Sequence, residues 1–196
     1  MAGGSNGGVY RFNGMTGAFL GVFISSSALR YSWGIGFDKN TNDTFVANML
    51  NNGIMKFSPV GDGMTSAAAI EATLSSLPNL PRPMFAGMWS SKTMRHVRSF
   101  ALTEDSMYVT SPSLGYVAAQ YNRSNAVHKM SIEDVEPVLK SPSDIRVYNN
   151  YLYLCGDGEV RKYNRFDGEY LGVFSKMDMA CSFMIFHDDY EMPKGN

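Results

Sequence analysis

The fifteen residues VYRFNGMTGAFLGVF, Val9 to Phe23, return without a gap as VRKYNRFDGEYLGVF, Val160 to Phe174. Seven of the fifteen pairs are identical, and Arg11/Lys162, Phe12/Tyr163 and Phe19/Tyr170 keep charge or aromatic bulk in register. Self-similarity of this kind constrains a chain more than any local propensity, because each copy is one supersecondary unit that buries its apolar face only by stacking on its neighbours. Two shorter copies lie between. GIMKFS, Gly53 to Ser58, matches GVYRFN, Gly8 to Asn13, and the YNR at Tyr121 to Arg123 repeats the YNR at Tyr163 to Arg165. Spacings of 45 and 42 residues define the unit, and the wider gap of 64 between Phe57 and Tyr121 is one unit plus an insertion.

Each copy is preceded by two further strand-like runs. SWGIGF, SFAL and DIRVY alternate apolar and polar residues, a polar turn follows, and TFVAN, MYVT or YLYL comes next. Period-two alternation bounded by Asn- and Asp-rich turns predicts strands joined by tight hairpins. A unit is therefore four strands, a, b, c and d, with VYRFN as c and AFLGVF as d. Gly17 and Gly168 are predicted to supply the left-handed position of the c–d hairpin. Phe12, Phe57, Tyr121 and Tyr163 fall at equivalent c positions and are predicted to be the repeat's core. The chain starts with c and d and ends in ACSFMIFHDDYEM, an a strand with the start of a b. The units run over 1–24 plus 178–196, 25–76, 94–139 and 140–177, all within one domain covering 1–196. The insertion, 61–93, carries TSAAAIEATLSS and then LPNLPRP, whose prolines forbid a continuous helix or central strand. Met84, Phe85, Met88 and Trp89 make an apolar cluster on this predicted loop and are the expected partner-binding residues.

The 17 basic and 18 acidic residues nearly cancel, so the chain does not advertise a nucleic-acid partner. No run approaches the length of a membrane span, and MAGGSNGG lacks a signal-peptide apolar core, which leaves the compartment open. The 44% apolar and 13% aromatic content suits a packed all-β domain.

Four-stranded units of this length are the signature of a β-propeller, each unit one radial blade. VYRFNGMTGAFLGVF and VRKYNRFDGEYLGVF, with SWGIGFDKNTNDTFVAN leading into GIMKFS, resemble NHL-type repeats of the TolB-like six-bladed β-propeller class, this chain carrying about four units. Pro142 stands where that pattern has proline; Trp33, Val97 and Cys181 occupy the position elsewhere. The resemblance implies a non-enzymatic binding or scaffold module that holds a protein or peptide, or secondarily a glycan, on one face. Two architectures remain open: a closed ring of four blades in which the two ends share one blade, and a segment of a longer propeller that oligomerises through its open edges.

The alternative activity is a metal-dependent hydrolase or lyase of the propeller lactonase type. Such sites collect oxygen ligands around a divalent cation such as calcium at the channel mouth. Asp144, at the start of an a strand, is the one candidate ligand; the corresponding Gly34, Ser99 and Phe183 offer no carboxylate, while hard cations want six or more oxygens. No cofactor is therefore expected. His96, His128 and His187 share no zinc spacing, and no nucleophile elbow or phosphate loop is present. Cys155 and Cys181 read as buried small residues or as a bridge between neighbouring units.

Overall fold

The structure is a computed structural model that describes residues 2–3, 8–58, 84–90, 94–112 and 115–184. Among these described residues, fifteen strands form four antiparallel sheets. The first contains β1 (Ala2–Gly3), β2 (Gly8–Phe12) and β3 (Phe19–Ser25). The second contains β4 (Ser32–Phe37), β5 (Thr44–Asn48), β6 (Gly53–Ser58) and β7 (Met84–Ser90). The third contains β8 (Ser99–Leu102), β9 (Ser106–Thr110), β10 (Ala118–Asn122) and β11 (His128–Ile132). The fourth contains β12 (Asp144–Tyr148), β13 (Tyr151–Gly156), β14 (Glu159–Asn164) and β15 (Tyr170–Lys176). Strand order follows chain order in every sheet, which is the meander of a propeller blade.

The sheets stack in sequence. β4 lies against β8 and β8 against β12, so the inner strands a of these blades are neighbours near the axis, while β1, at the b position of the first sheet, lies against β4. One apolar core fills each gap. Val9, Ile24, Val46 and Phe57 lie between the first and second sheets. Phe45, Phe100, Val109 and Tyr121 lie between the second and third, and Tyr108, Ile145, Leu154 and Tyr163 between the third and fourth. At Gly34 the strands come so close that a Cβ would meet the Arg98 carbonyl oxygen at 3.1 Å, which accounts for glycine in SWGIGF.

The long repeat has a local cause. Asn13 and Asn164 open the same turn: Gly17 and Gly168 donate their amides to the Asn13 and Asn164 carbonyls at 2.8 and 3.0 Å, with φ of +70° and +77°. The Asn13 side chain accepts from the Met15 and Thr16 amides and that of Asn164 from Phe166. Each d strand then carries two bulges. Pairing shifts beside Phe12 and Tyr163, where Leu20 and Leu171 are the extra residues, and again beside Val9 and Val160, where Phe23 and Phe174 are extra. Gly21 and Gly172 lie opposite Arg11 and Lys162 with φ of +118° and +116°. The identical residues therefore encode a turn and a doubly bulged strand, the device that twists a blade. The first bulge also occurs beside Phe57 and Tyr121.

Several sequence expectations need correction. Phe57, Tyr121 and Tyr163 are fully buried, but Phe12 is 44% exposed. Each c-strand aromatic faces the preceding sheet, and among the described residues no sheet precedes the first; Phe12 packs on Phe19, with ring centroids 5.5 Å apart. The insertion does not extend to 93 as a loop. Met84–Ser90 is β7, the d strand of the second blade, paired along β6 from Ser58↔Met84 to Gly53↔Ser90; the second blade therefore ends at Ser90 rather than at 76. Residues 61–83 and 91–93 of the insertion lie outside the described residues. Cys155 and Cys181 are joined in a disulfide with Cα atoms 5.5 Å apart, because the segment after β15 folds back over the fourth sheet. The edge of β2 expected to pair with the end of the chain is held at Val9 and Gly8 by β1 (Ala2↔Val9, Gly3↔Gly8). His187 and the start of the expected final b strand lie outside the described residues.

Candidate partner-binding surfaces

Asp144, the candidate metal ligand, heads β12 at the inner edge of the fourth blade and is buried. Its Oδ1 accepts the Ser99 hydroxyl at 2.6 Å, and its Oδ2 accepts the Met184 amide at 2.8 Å and pairs with Arg146 Nε at 3.2 Å. The carboxylate ties three successive inner positions together. Among the described residues no three His, Cys, Asp or Glu side chains are grouped as cation ligands.

The a–b and c–d turns gather at one mouth of the arc. A cleft of about 580 Å³ opens there between the second and third sheets, lined by Asp38, Asp43, Lys56, Glu104 and Arg123, with Ala86 of β7 on its wall. A second recess of about 440 Å³ shares Asp38, Glu104 and Arg123 and adds Phe37 and Lys39. Arg123, from the c–d turn of the third blade, crosses the gap to form an ion pair with Asp38 and donates Nη1 to the Thr103 carbonyl at 2.8 Å. Asp43 accepts from Lys56 at 2.8 Å, Ser58 at 2.6 Å and Thr41 at 2.6 Å. Burial alone would raise its pKa, but these donors hold it below the usual carboxylate range. Asp105 is held low mainly by Lys129, 3.2 Å away. The cleft thus has a fixed pattern of both charges, with Glu104 exposed at its rim.

Of the apolar residues expected to bind a partner, Met84, Phe85, Met88 and Trp89 all lie on β7, the outermost strand of the blade that walls this cleft. The Met88 side chain is 42% exposed. His128, on β11, stacks edge-on against Tyr121 at 5.5 Å and shares a hydrogen bond with Ser131; His96 lies on a separate connection before β8.

Sequence reasoning missed a second polar cluster, at the opposite mouth. Asp134 lies in the connection from β11 to β12 and Arg161 on β14, both side chains almost fully buried. Arg161 donates to both Asp134 oxygens at 2.7 Å, to Glu159 and to the Pro137 carbonyl, while the Tyr163 hydroxyl donates to Asp134 Oδ1 at 2.7 Å. Burial works to raise the Asp134 pKa, and the Leu139 amide, Tyr163 and Arg161 together bring it below its ordinary value. Burial and the same carboxylate push Tyr163 up. A recess of about 650 Å³ lined by Tyr116, Glu133, Asp134, Val138 and Lys140 sits above. The separation of 27 positions between Asp134 and Arg161, and the irregular loop that carries Asp134, hid the pair; the arginine within the strand run EVRKY was the one signal.

No protein-family model matches the sequence, and none of the curated proteins is recognisably similar to it. Solved structures do share its fold. A chain of the Kuenenia stuttgartiensis hydrazine synthase superposes with a TM-score of 0.54 at 11% identity, over 78% of this chain and 38% of that one. The WD40 repeats of RRP9 superpose with 0.54 at 11% identity, over 81% and 42%. The computationally designed Ika8 protein superposes with 0.55 at 10% identity, over 93% and 48%. The fold is a β-propeller, present as an arc of about four blades. The chain spans less than half the length of these structures.

Proposed function

We propose that this propeller arc is a non-enzymatic binding module that holds a polypeptide in the cleft between its second and third blades. The observation that carries the reading is the cleft itself: charges of both signs fixed by their own hydrogen bonds, beside β7 with its exposed Met88. A peptide offers all three matching chemistries, namely charged side chains, backbone donors and acceptors, and apolar side chains. The wider surface includes Met84, Phe85 and Trp89. The repeat chemistry of the two long blocks fits NHL-type blades, and a propeller of that type would present such a cleft on one face. The presence of WD40 repeats among structures of the same fold is compatible with a protein partner.

The test is selection from a displayed random-peptide library, with a glycan array in parallel. The reading expects an enriched peptide motif whose binding falls at least tenfold in both Glu104→Arg and Met88→Asp, each melting like the parent. Selection of glycans alone, or a peptide motif indifferent to both substitutions, contradicts it.

A further inference from the structure

Asn42-Asp43-Thr44 and Asn122-Arg123-Ser124 are the two Asn-x-Ser/Thr triplets of the sequence, the acceptor pattern for an N-linked glycan. Such triplets recur by chance, so their surroundings decide. Both fall on turns at the mouth that holds the cleft, Asn42 between β4 and β5 and Asn122 at the end of β10. Their side chains differ. Asn122 Oδ1 accepts the Ser124 amide at 2.8 Å and the Ser124 hydroxyl at 2.7 Å, so it builds its turn, and both residues line the cleft. Asn42 is placed by its backbone instead. Its amide donates to the Asp38 carbonyl at 2.8 Å, and its φ is +57°, a left-handed conformation that asparagine tolerates. The Thr41 hydroxyl donates to Asp43 at 2.6 Å, and these two neighbours line the cleft; the half-buried Asn42 lines neither the cleft nor the adjoining recess, and among the described residues its side chain makes no hydrogen bond.

The second observation is the oxidation state of the chain. It has two cysteines, and both are consumed in the Cys155–Cys181 bond. Both are buried, in a core with Tyr153 and Val160, and the bond holds the segment after β15 against β13 with help from Ser143 and Arg146, which donate to the Cys181 and Met184 carbonyls. A buried structural disulfide persists where thiols are kept oxidised, the secretory compartments among them, and a protein that passes through those compartments is the kind in which an Asn-x-Ser/Thr triplet on a surface turn is an acceptor. The disulfide belongs to the fourth blade and the triplet to the second. Two unconnected features therefore agree on one environment.

We propose that Asn42, and not Asn122, carries an N-linked glycan, attached as the chain folds in an oxidising compartment. In the transfer, Asn42 Nδ2 gives up a proton to solvent and bonds to the anomeric carbon of an oligosaccharide carried on a polyprenyl diphosphate; the bond from that carbon to the phosphate oxygen breaks, and the diphosphate leaves with the electron pair. Thr44 sets the time of the reaction. It heads β5, is 1% exposed and pairs with Phe37 and Phe57, so the triplet is open to an enzyme only before β5 joins β4 and β6. The turn at Asn122 needs no such assembly, because its hydrogen bonds join residues two apart and form locally. A glycan on Asn122 would also lie in the cleft, where Arg123 crosses to Asp38. On Asn42 it stands on a turn whose residues Lys39, Asn40 and Thr41 are exposed, and leaves the cleft open.

The test is tandem mass spectrometry of intact glycopeptides from a non-reducing digest of the protein purified from the cells that make it. The expected results are an oligosaccharide on Asn42, a bare Asn122, and the Cys155 and Cys181 peptides recovered as one linked species. In the same cells Asn42→Asp should lose the whole glycan mass, since aspartate keeps the left-handed turn but has no amide to modify, while Thr44→Ser, which preserves the triplet, should keep it. Should either variant fold poorly, the parent protein's glycopeptides decide. A bare Asn42, a glycan on Asn122, or Cys155 and Cys181 recovered as free thiols would each overturn the proposal.

Discussion

Single residues in this chain are fixed by backbone geometry at some positions and by the neighbouring sheet at others, and only the first kind is visible in sequence. Gly17 shows the first kind. Its φ is +70° and a Cβ there would meet nothing within 4 Å, so Gly17→Ala should cost about 1 to 2 kcal/mol from the left-handed backbone alone. Gly14→Ala in the same turn, where φ is not positive and the space is also open, should stay within about 0.5 kcal/mol of the parent. Urea denaturation of the two variants checks the contrast. Phe12 shows the second kind: it has the residue type, spacing and ring stacking of Tyr163 but not its burial, because burial depends on what lies across the gap. Asp134 makes a pH prediction. Its folded pKa lies below its unfolded one, so the stability it contributes is present above about pH 4, the ordinary carboxylate value, and is lost as pH falls toward the folded pKa. Asp134→Asn should flatten the loss of stability below pH 4. It should also destabilise the chain at pH 7 by about 3 kcal/mol, the lower end for breaking a buried pair, since Arg161 would remain buried with Glu159 as its carboxylate partner but without Asp134.

The elements were legible where hairpins are short. The a, b and c strands of the later blades and the c–d hairpin of the long repeat follow from alternation, Asn at the turn and Gly at positive φ. β7 was not legible, because the insertion separates it from β6 and removes the turn that would have marked it; its partner strand is set by the sheet, not by local spacing. The closing segment was half legible: the run ACSFM suggested an a strand, but its anchoring depends on the Cys155–Cys181 bond. A cross-link spanning 26 residues contributes about 3 to 4 kcal/mol by loop closure. Reducing it, or replacing both cysteines with serine, should lower stability by about that amount and raise amide exchange at Met184, whose N–H is held by Asp144. Unchanged exchange at Met184 would show that Asp144 and Arg146 suffice to hold the segment.

At the scale of the whole molecule, the repeat made a propeller legible, while the number of blades was not, because the same four-stranded unit builds rings of several sizes. The cleft between the second and third sheets lay outside the sequence reading for a related reason: Asp38 and Arg123 are 85 residues apart and meet only when blades stack. Among the described residues the three large cores lie between successive sheets, and Phe57, Tyr121 and Tyr163 each pack on the sheet before their own. Equilibrium urea denaturation of Phe57→Ala and Phe12→Ala checks this. The stacked arc predicts a loss of about 3 to 5 kcal/mol for the buried Phe57 and under about 1 kcal/mol for the uncovered Phe12. Equal losses at the two positions, or a loss under about 1 kcal/mol at Phe57, would contradict it.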